Sequence, residues 1–230
     1  GRSVGNDSDT MANKVRALVL AGYVNNCDNQ TADALSRAGA DATRVHLNDV
    51  IANPAMLKEY RILAVPGGFS FGDDVDSGKI LANRLRYKLG DALKQFVSDG
   101  KLVIGICNGF QVLVKMGMLP MLDGGFRQEV TLTHNDSGRF EDRWINLQAT
   151  PNTHCVWVKG LDRLELPIRH GEGKFIPRDA TVLETLRNKG MIALRYCRAD
   201  GSAAQGQFPA NPNGSIDDVA GICDTTGRVF

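Results

Sequence analysis

The sequence predicts an α/β three-layer sandwich built on a mostly parallel sheet, and three observations predict it. Apolar runs of strand length recur at residues 15–21, 42–47, 61–65 and 102–106. Segments whose apolar residues recur at helical spacing separate those runs. Strands alternating with helices pack as a parallel sheet covered on both faces, since each crossover helix buries its apolar side against the sheet. After Pro120 the pattern changes to strands with one solvated face, so some antiparallel strands are expected after residue 120.

In chain order, residues 15–21 (VRALVLA) are apolar and too short for a helix, as a buried strand is. Asp28 is expected to cap a helix over about 29–37, which Gly39 ends. Residues 42–47 form a second strand, and 61–65 a third, closed by Pro66, Gly67 and Gly68. A long helix follows over about 78–98, with Leu81, Leu85, Leu89, Leu93 and Phe96 on one face and Gly100 past its end. The strand 102–106 then runs straight into a helix beginning after Cys107. Beyond it, 129–133 and 143–149 alternate as strands, and 155–158, 166–170 and 191–196 are further strand candidates. Residues 181–188 read as a short helix, and 203–215, with Pro209 and Pro212, as a loop.

Composition narrows the function. Twenty-seven basic residues against 26 acidic ones leave a formal net charge of +1 with no basic stripe, which argues against a nucleic-acid partner. The apolar runs are too short to span a bilayer, so no membrane partner is expected. Five cysteines at wide spacing, with no C-x-x-C pair, argue against a zinc site or a thioredoxin-type motif and fit reduced thiols in the cytoplasm. Cys27, Cys155, Cys197 and Cys223 read as small apolar residues. Residues 1–14 are expected to be a disordered or tag-like extension. Residues 15–230 form a single domain, expected to be incomplete at its C-terminal side because residues 227–230 begin an apolar strand.

The strongest chemical signal is Ile104-Gly105-Ile106-Cys107-Asn108-Gly109-Phe110-Gln111. A strand meets a helix at a cysteine flanked two residues away on each side by glycine, the spacing of a nucleophile elbow. Such a turn strains the nucleophile and admits only small neighbours. A thiol at the new helix's N-terminus is expected to have its pKa lowered by the free N–H groups there. The second signal, Pro66-Gly67-Gly68-Phe69-Ser70-Phe71-Gly72-Asp73, lies past the carboxyl end of a strand, where open α/β sheets build their sites. The N–H groups of Gly68 and Asn108 are the two candidate donors to an oxyanion formed on Cys107. A cysteine nucleophile also needs a base. Of the four histidines, His170 stands two residues before Glu172, and in a strand the two would share a face toward the thiol. His46, His134 and His154 have no such neighbour and read as surface or structural residues.

Seven segments occur together in one order. They are Asn26-Cys27-Asp28, the Pro66 to Asp73 loop, the Gly105 to Gln111 elbow, Gly138-Arg139-Phe140-Glu141-Asp142, His170-Gly171-Glu172-Gly173, Asn211-Pro212-Asn213-Gly214-Ser215 and Ala220-Gly221-Ile222-Cys223. The set resembles the glutaminase subunits of phosphoribosylformylglycinamidine synthases, which are class I glutamine amidotransferases, over nearly all of residues 15–230. The resemblance implies a flavodoxin-like sheet and glutamine hydrolysis in purine biosynthesis. It makes Cys107 the nucleophile, Gly68 and Asn108 the oxyanion donors, and Gln111 with Gly67 part of the glutamine site.

It also implies that ammonia passes to a synthetase subunit within a heteromer that includes a small accessory subunit. No cofactor is expected on this chain; ATP and magnesium would bind the synthetase. The charged stretch 139–143 is a candidate contact with that partner.

The family places its triad histidine and glutamate in a His-Pro-Glu segment absent from this sequence. Loss of a general base typically costs about 10²–10⁴-fold in rate, so the chain by itself is expected to be nearly inactive. Three rival readings stay open. His170 and Glu172 could serve Cys107 in place of that segment. The fold could be a non-catalytic binding subunit, or carry Cys107 as a redox sensor. It could also be an amidotransferase feeding guanylate or carbamoyl phosphate synthesis, against which the 170–173 and 211–215 segments weigh.

Overall fold

The computed structural model describes residues 14–22, 27–68 and 75–230, with residues 75–78 described as backbone only. The expected extension up to residue 13, Asn26 of the first segment and residues 69–73 of the glycine loop lie outside these. β1 (Arg16–Ala21) leads to α1 (Asp28–Arg37), β2 (Asp41–His46) and α2 (Leu47–Ala52). A single 3₁₀ segment, Pro54–Glu59, precedes β3 (Ile62–Val65). Then come α3 (Val75–Ser98), β4 (Leu102–Gly105) and α4 (Asn108–Met116). The four strands form a parallel sheet in the order β2-β1-β3-β4. Residues 229–230 extend it beside β4: Val229 pairs parallel with Val103, and the Gly105 N–H donates to the Phe230 carbonyl at 2.7 Å.

Four consecutive residues of β1, Ala17 to Leu20, are buried. Side chains alternate across a strand, so both faces of the sheet are covered, as the uninterrupted apolar run requires. The apolar stripe of α3, from Leu81 through Leu85, Leu89 and Leu93 to Phe96, packs into the same core as Leu18, Leu63 and Val65.

Two local expectations change. Leu47 does not extend β2 but opens α2, because the His46 ring accepts a hydrogen bond from the Asn48 N–H and caps the helix. Asp28 is the first residue of α1 rather than its cap; Cys27 holds the cap position, without a side-chain capping hydrogen bond to the helix. Asp28 instead pairs with Arg44 on β2 at 3.0 Å, while its charge still favours the helix start.

The rest of the chain forms the antiparallel half. β5 (Val130–Thr133), β6 (Glu141–Ala149), β7 (Arg163–His170), β8 (Lys174–Pro177), β9 (Ile192–Cys197) and β10 (Val219–Ile222) make one sheet ordered β10-β9-β6-β7 and a separate β5-β8 pair. α5 (Ala180–Asn188) lies between β8 and β9 in the chain. The strand expected over 155–158 is a 3₁₀ turn, Val156–Val158. Its groups bond to a turn rather than to a strand ladder: the Val156 N–H donates to the Gly227 carbonyl at 2.9 Å and the Trp157 indole to the Arg228 carbonyl at 3.0 Å.

Candidate active site

The parallel sheet decides where the chemistry can gather. In the order β1-β3-β4, three neighbouring strands release their chain at the same edge, so Cys27, Gly67–Gly68 and Cys107 meet there. Cys107 occupies the junction of β4 and α4 with φ 54° and ψ −112°. A non-glycine residue in that region costs about 1–3 kcal/mol and persists only where packing over-determines it. The packing is visible at Gly109. The Val65 carbonyl accepts from the Ile106 N–H at 3.1 Å, and a β-carbon on Gly109 would overlap that same carbonyl. The elbow is thus clamped onto the end of β3, and a side chain at Gly109 would pry it away. A β-carbon on Gly105 would lie 2.8 Å from the Gly109 backbone, so both expected glycines are required by contact.

Gly67 brings the second loop against the nucleophile. A β-carbon there would stand 2.9 Å from the Cys107 β-carbon. The Gly67 carbonyl accepts from the Cys27 N–H at 3.2 Å. In a trans peptide the C=O and N–H point in opposite directions, so tying the Gly67 carbonyl toward Cys27 turns the Gly68 N–H toward Cys107. The Asn108 side-chain amide also donates to the Gly68 carbonyl, fastening the loop to the start of α4. Cys27 was expected to be an inert apolar residue, yet its backbone orients an oxyanion donor. Only the pairing of loops across the sheet reveals that.

The Cys107 thiol is on the surface, but the walls around it dominate its acidity. Burial in the cleft pushes its pKa up, and the Cys27 thiol pushes the same way; the Asn108 and Gly68 N–H groups pull it down without offsetting the rise. The expected lowering by the helix N-terminus is therefore reversed in sign. Two amide donors do not replace the hydration the thiolate loses, and a neighbouring thiol only adds repulsion.

The cleft beside Cys107 has a volume of about 410 Å³, within the range of small-molecule sites. Gln111, Arg169, His170 and Glu172 line it, with Leu132, Ile145 and Phe230 among its apolar walls. The Arg169 carbonyl is 3.9 Å from Sγ. The larger groove along residues 139–143 is lined by Arg139, Phe140, Arg143 and Phe208 and by no cysteine.

His170 and Glu172 do not pair as a strand would place them. β7 ends at His170 and β8 starts at Lys174, so Gly171, Glu172 and Gly173 form a connection in which the two-residue rule does not apply. The His170 ring packs over Gly173, its Nδ1 is buried without a hydrogen bond, and burial lowers its pKa. Among the described residues, no histidine hydrogen-bonds to Cys107. His134 is a surface residue, as expected, and its Nδ1 stands 3.6 Å from Glu172 Oε1. His46 caps α2, and His154 bonds to the Asp224 carbonyl at 3.1 Å, both structural roles as expected.

The connection itself is tied down at each of its carbonyls from His170 to Gly173 and at the Gly173 N–H. Asn135 donates from its side chain to the His170 carbonyl at 2.8 Å and from its N–H to the Gly171 carbonyl at 2.9 Å, and accepts from the Gly173 N–H at 3.0 Å. Gln111 Nε2 donates to the Glu172 carbonyl at 2.8 Å. Asn213 Nδ2 and Ser215 Oγ both donate to the Gly173 carbonyl, at 2.8 and 3.2 Å. Asn213 Nδ2 also reaches the hydroxyl of Tyr196, whose pKa burial pushes up to about 12. The 211–215 segment was legible as a motif without a role; its role is to hold this loop. Asn135 carried no signal in the sequence.

The CobB/CobQ-like glutamine amidotransferase domain family matches residues 14–230. A relative from Methanococcus maripaludis, phosphoribosylformylglycinamidine synthase subunit PurQ, is 44% identical over 217 residues, covering 94% of this chain and 79% of its own. The PurQ subunit of Dehalococcoides mccartyi is 46% identical over 219 residues, covering 94% and 82%. Among solved structures, a chain of the PurLQS structure from Thermotoga maritima superposes with a TM-score of 0.68 at 28% identity, over 94% of this chain and 85% of that one.

Proposed function

This chain belongs to the PurQ family of glutamine amidotransferases, and from that premise we propose that it hydrolyses glutamine at Cys107 and delivers the ammonia to a synthetase subunit. The observation that carries the reading is the strained Cys107 facing the Gly68 and Asn108 N–H groups. The sulfur anion attacks the side-chain amide carbon of glutamine, and the carbonyl oxygen takes the negative charge against those two donors. The amide nitrogen takes a proton from water and leaves as ammonia, and the hydroxide left behind then attacks the γ-glutamyl thioester, releasing glutamate and returning the Cys107 sulfur anion.

By likeness to its relatives, the synthetase uses the ammonia to convert formylglycinamide ribonucleotide to the amidine in purine biosynthesis. ATP and magnesium belong to that partner, a small accessory subunit completes the complex, and the assembly is cytoplasmic. The groove along residues 139–143 is the proposed synthetase contact, with Phe140 and Phe208 exposed beside it.

Alkylation by a diazoketone analogue of glutamine, mapped by mass spectrometry, tests the assignment. Cys107 should be modified while Cys27, Cys155, Cys197 and Cys223 are not. Because the folded-state pKa is raised, the thiolate fraction is small at neutral pH, and the rate should keep climbing as pH rises beyond the ordinary thiol range. Modification elsewhere with Cys107 untouched would remove the nucleophile and leave the non-catalytic reading.

A further inference from the structure

We propose that the Glu172 carboxylate binds the α-ammonium group of the substrate, which makes it the residue that selects glutamine over amides lacking an amino group. The inference rests on the glutaminase reading and deepens it. Glu172 lines the Cys107 cleft, and its side chain is only 14% exposed. Its Oε1 is buried with no hydrogen-bond partner. An ionisable oxygen withdrawn from water and left unmatched is costly, and a protein tolerates one most readily where a ligand supplies the missing donor. The His134 ring, mostly exposed, brings its Nδ1 to 3.6 Å from this oxygen, too far for a hydrogen bond. The Arg169 side chain, also at the cleft, is engaged with Asp142 at 3.3 Å.

The spacing suits glutamine. Gln111 lies four residues beyond Cys107 on α4 and holds the Glu172 backbone at 2.8 Å. One helical turn rises about 5.4 Å. From the amide carbon of glutamine to its α-nitrogen there are four bonds of about 1.5 Å, which span about 5 Å when extended. A substrate with its amide carbon at Cys107 therefore extends its ammonium group to the level of Glu172. The bonds from Asn135, Gln111, Asn213 and Ser215 fix this backbone before substrate arrives, so little ordering is left for binding to impose.

The probes are two diazoketones identical except that one lacks the α-amino group. Wild-type protein should be alkylated at Cys107 at least tenfold faster by the amino compound, and in Glu172→Gln that ratio should fall close to one. A ratio that survives in Glu172→Gln overturns the proposal, as does a wild type without preference. A second measurement needs no variant: L-glutamine should protect wild-type Cys107 at least tenfold more effectively than 4-carbamoylbutanoate, and equal protection is equally fatal. If neither diazoketone reaches Cys107, the glutaminase reading itself fails. If both do without discrimination, only the role of Glu172 is lost.

Discussion

The two walls of the cleft are built by opposite means. On the parallel side, the elbow at Cys107 is held by close contact between backbones that lie near one another along adjacent strands, with Gly105 and Gly109 providing the clearance. On the antiparallel side, the loop 170–173 is held by side chains reaching its backbone from remote positions: Asn135, Gln111, Asn213 and Ser215. The first wall stores strain in the reacting residue itself. The second keeps its carboxylate in place by satisfying the backbone around it. Sterics are intolerant of any added atom, whereas a hydrogen-bonded platform weakens in increments.

That contrast can be broken at its strongest point first. Gly109→Ala drives a methyl group into the Val65 carbonyl, a backbone atom that cannot rotate aside. It should destabilise the protein by about 3 kcal/mol, read from the urea midpoint, and should slow Cys107 alkylation as the elbow shifts. An alanine accepted with less than half that cost would show that the elbow is not clamped onto β3.

On the other wall, Asn213→Ala removes buried bonds to the Gly173 carbonyl and to Tyr196 but leaves Ser215 on the same carbonyl. The expected loss is about 2 kcal/mol. Asn135→Ala releases the other end of the loop. The two losses should be non-additive, because both residues anchor Gly173; strict additivity in the double variant would mean that the platform is not one unit.

The smallest effect has the opposite sign. Cys107→Gly relieves a non-glycine residue at φ 54° and removes an exposed side chain. It should raise stability by about 1 kcal/mol while abolishing alkylation, and a fall in melting temperature would show that the strain is not there.

The helix cap of α2 and the 155–158 turn show how far local patterns reach. Leu47 reads as the end of an apolar strand until the His46 ring is seen to cap a helix, and 155–158 reads as a strand until its N–H groups are followed to residues 227–228. In both places a hydrogen bond decided between conformations that side-chain pattern leaves equal.

From sequence alone came the α/β class, the parallel strands and their order along the chain, the elbow at Cys107, and the Gly67–Gly68 loop as its complement. Those features are encoded within runs of a few residues, where apolar period and glycine spacing act directly on the backbone. Tertiary structure alone decided the sign of the Cys107 pKa shift, the orienting role of Cys27, the approach of His134 to Glu172, and the anchoring of the 170–173 loop by Asn135 and Asn213. Each of these depends on what surrounds a group rather than on what adjoins it in the chain. Desolvation and hydrogen bonding act between whichever atoms folding brings within reach.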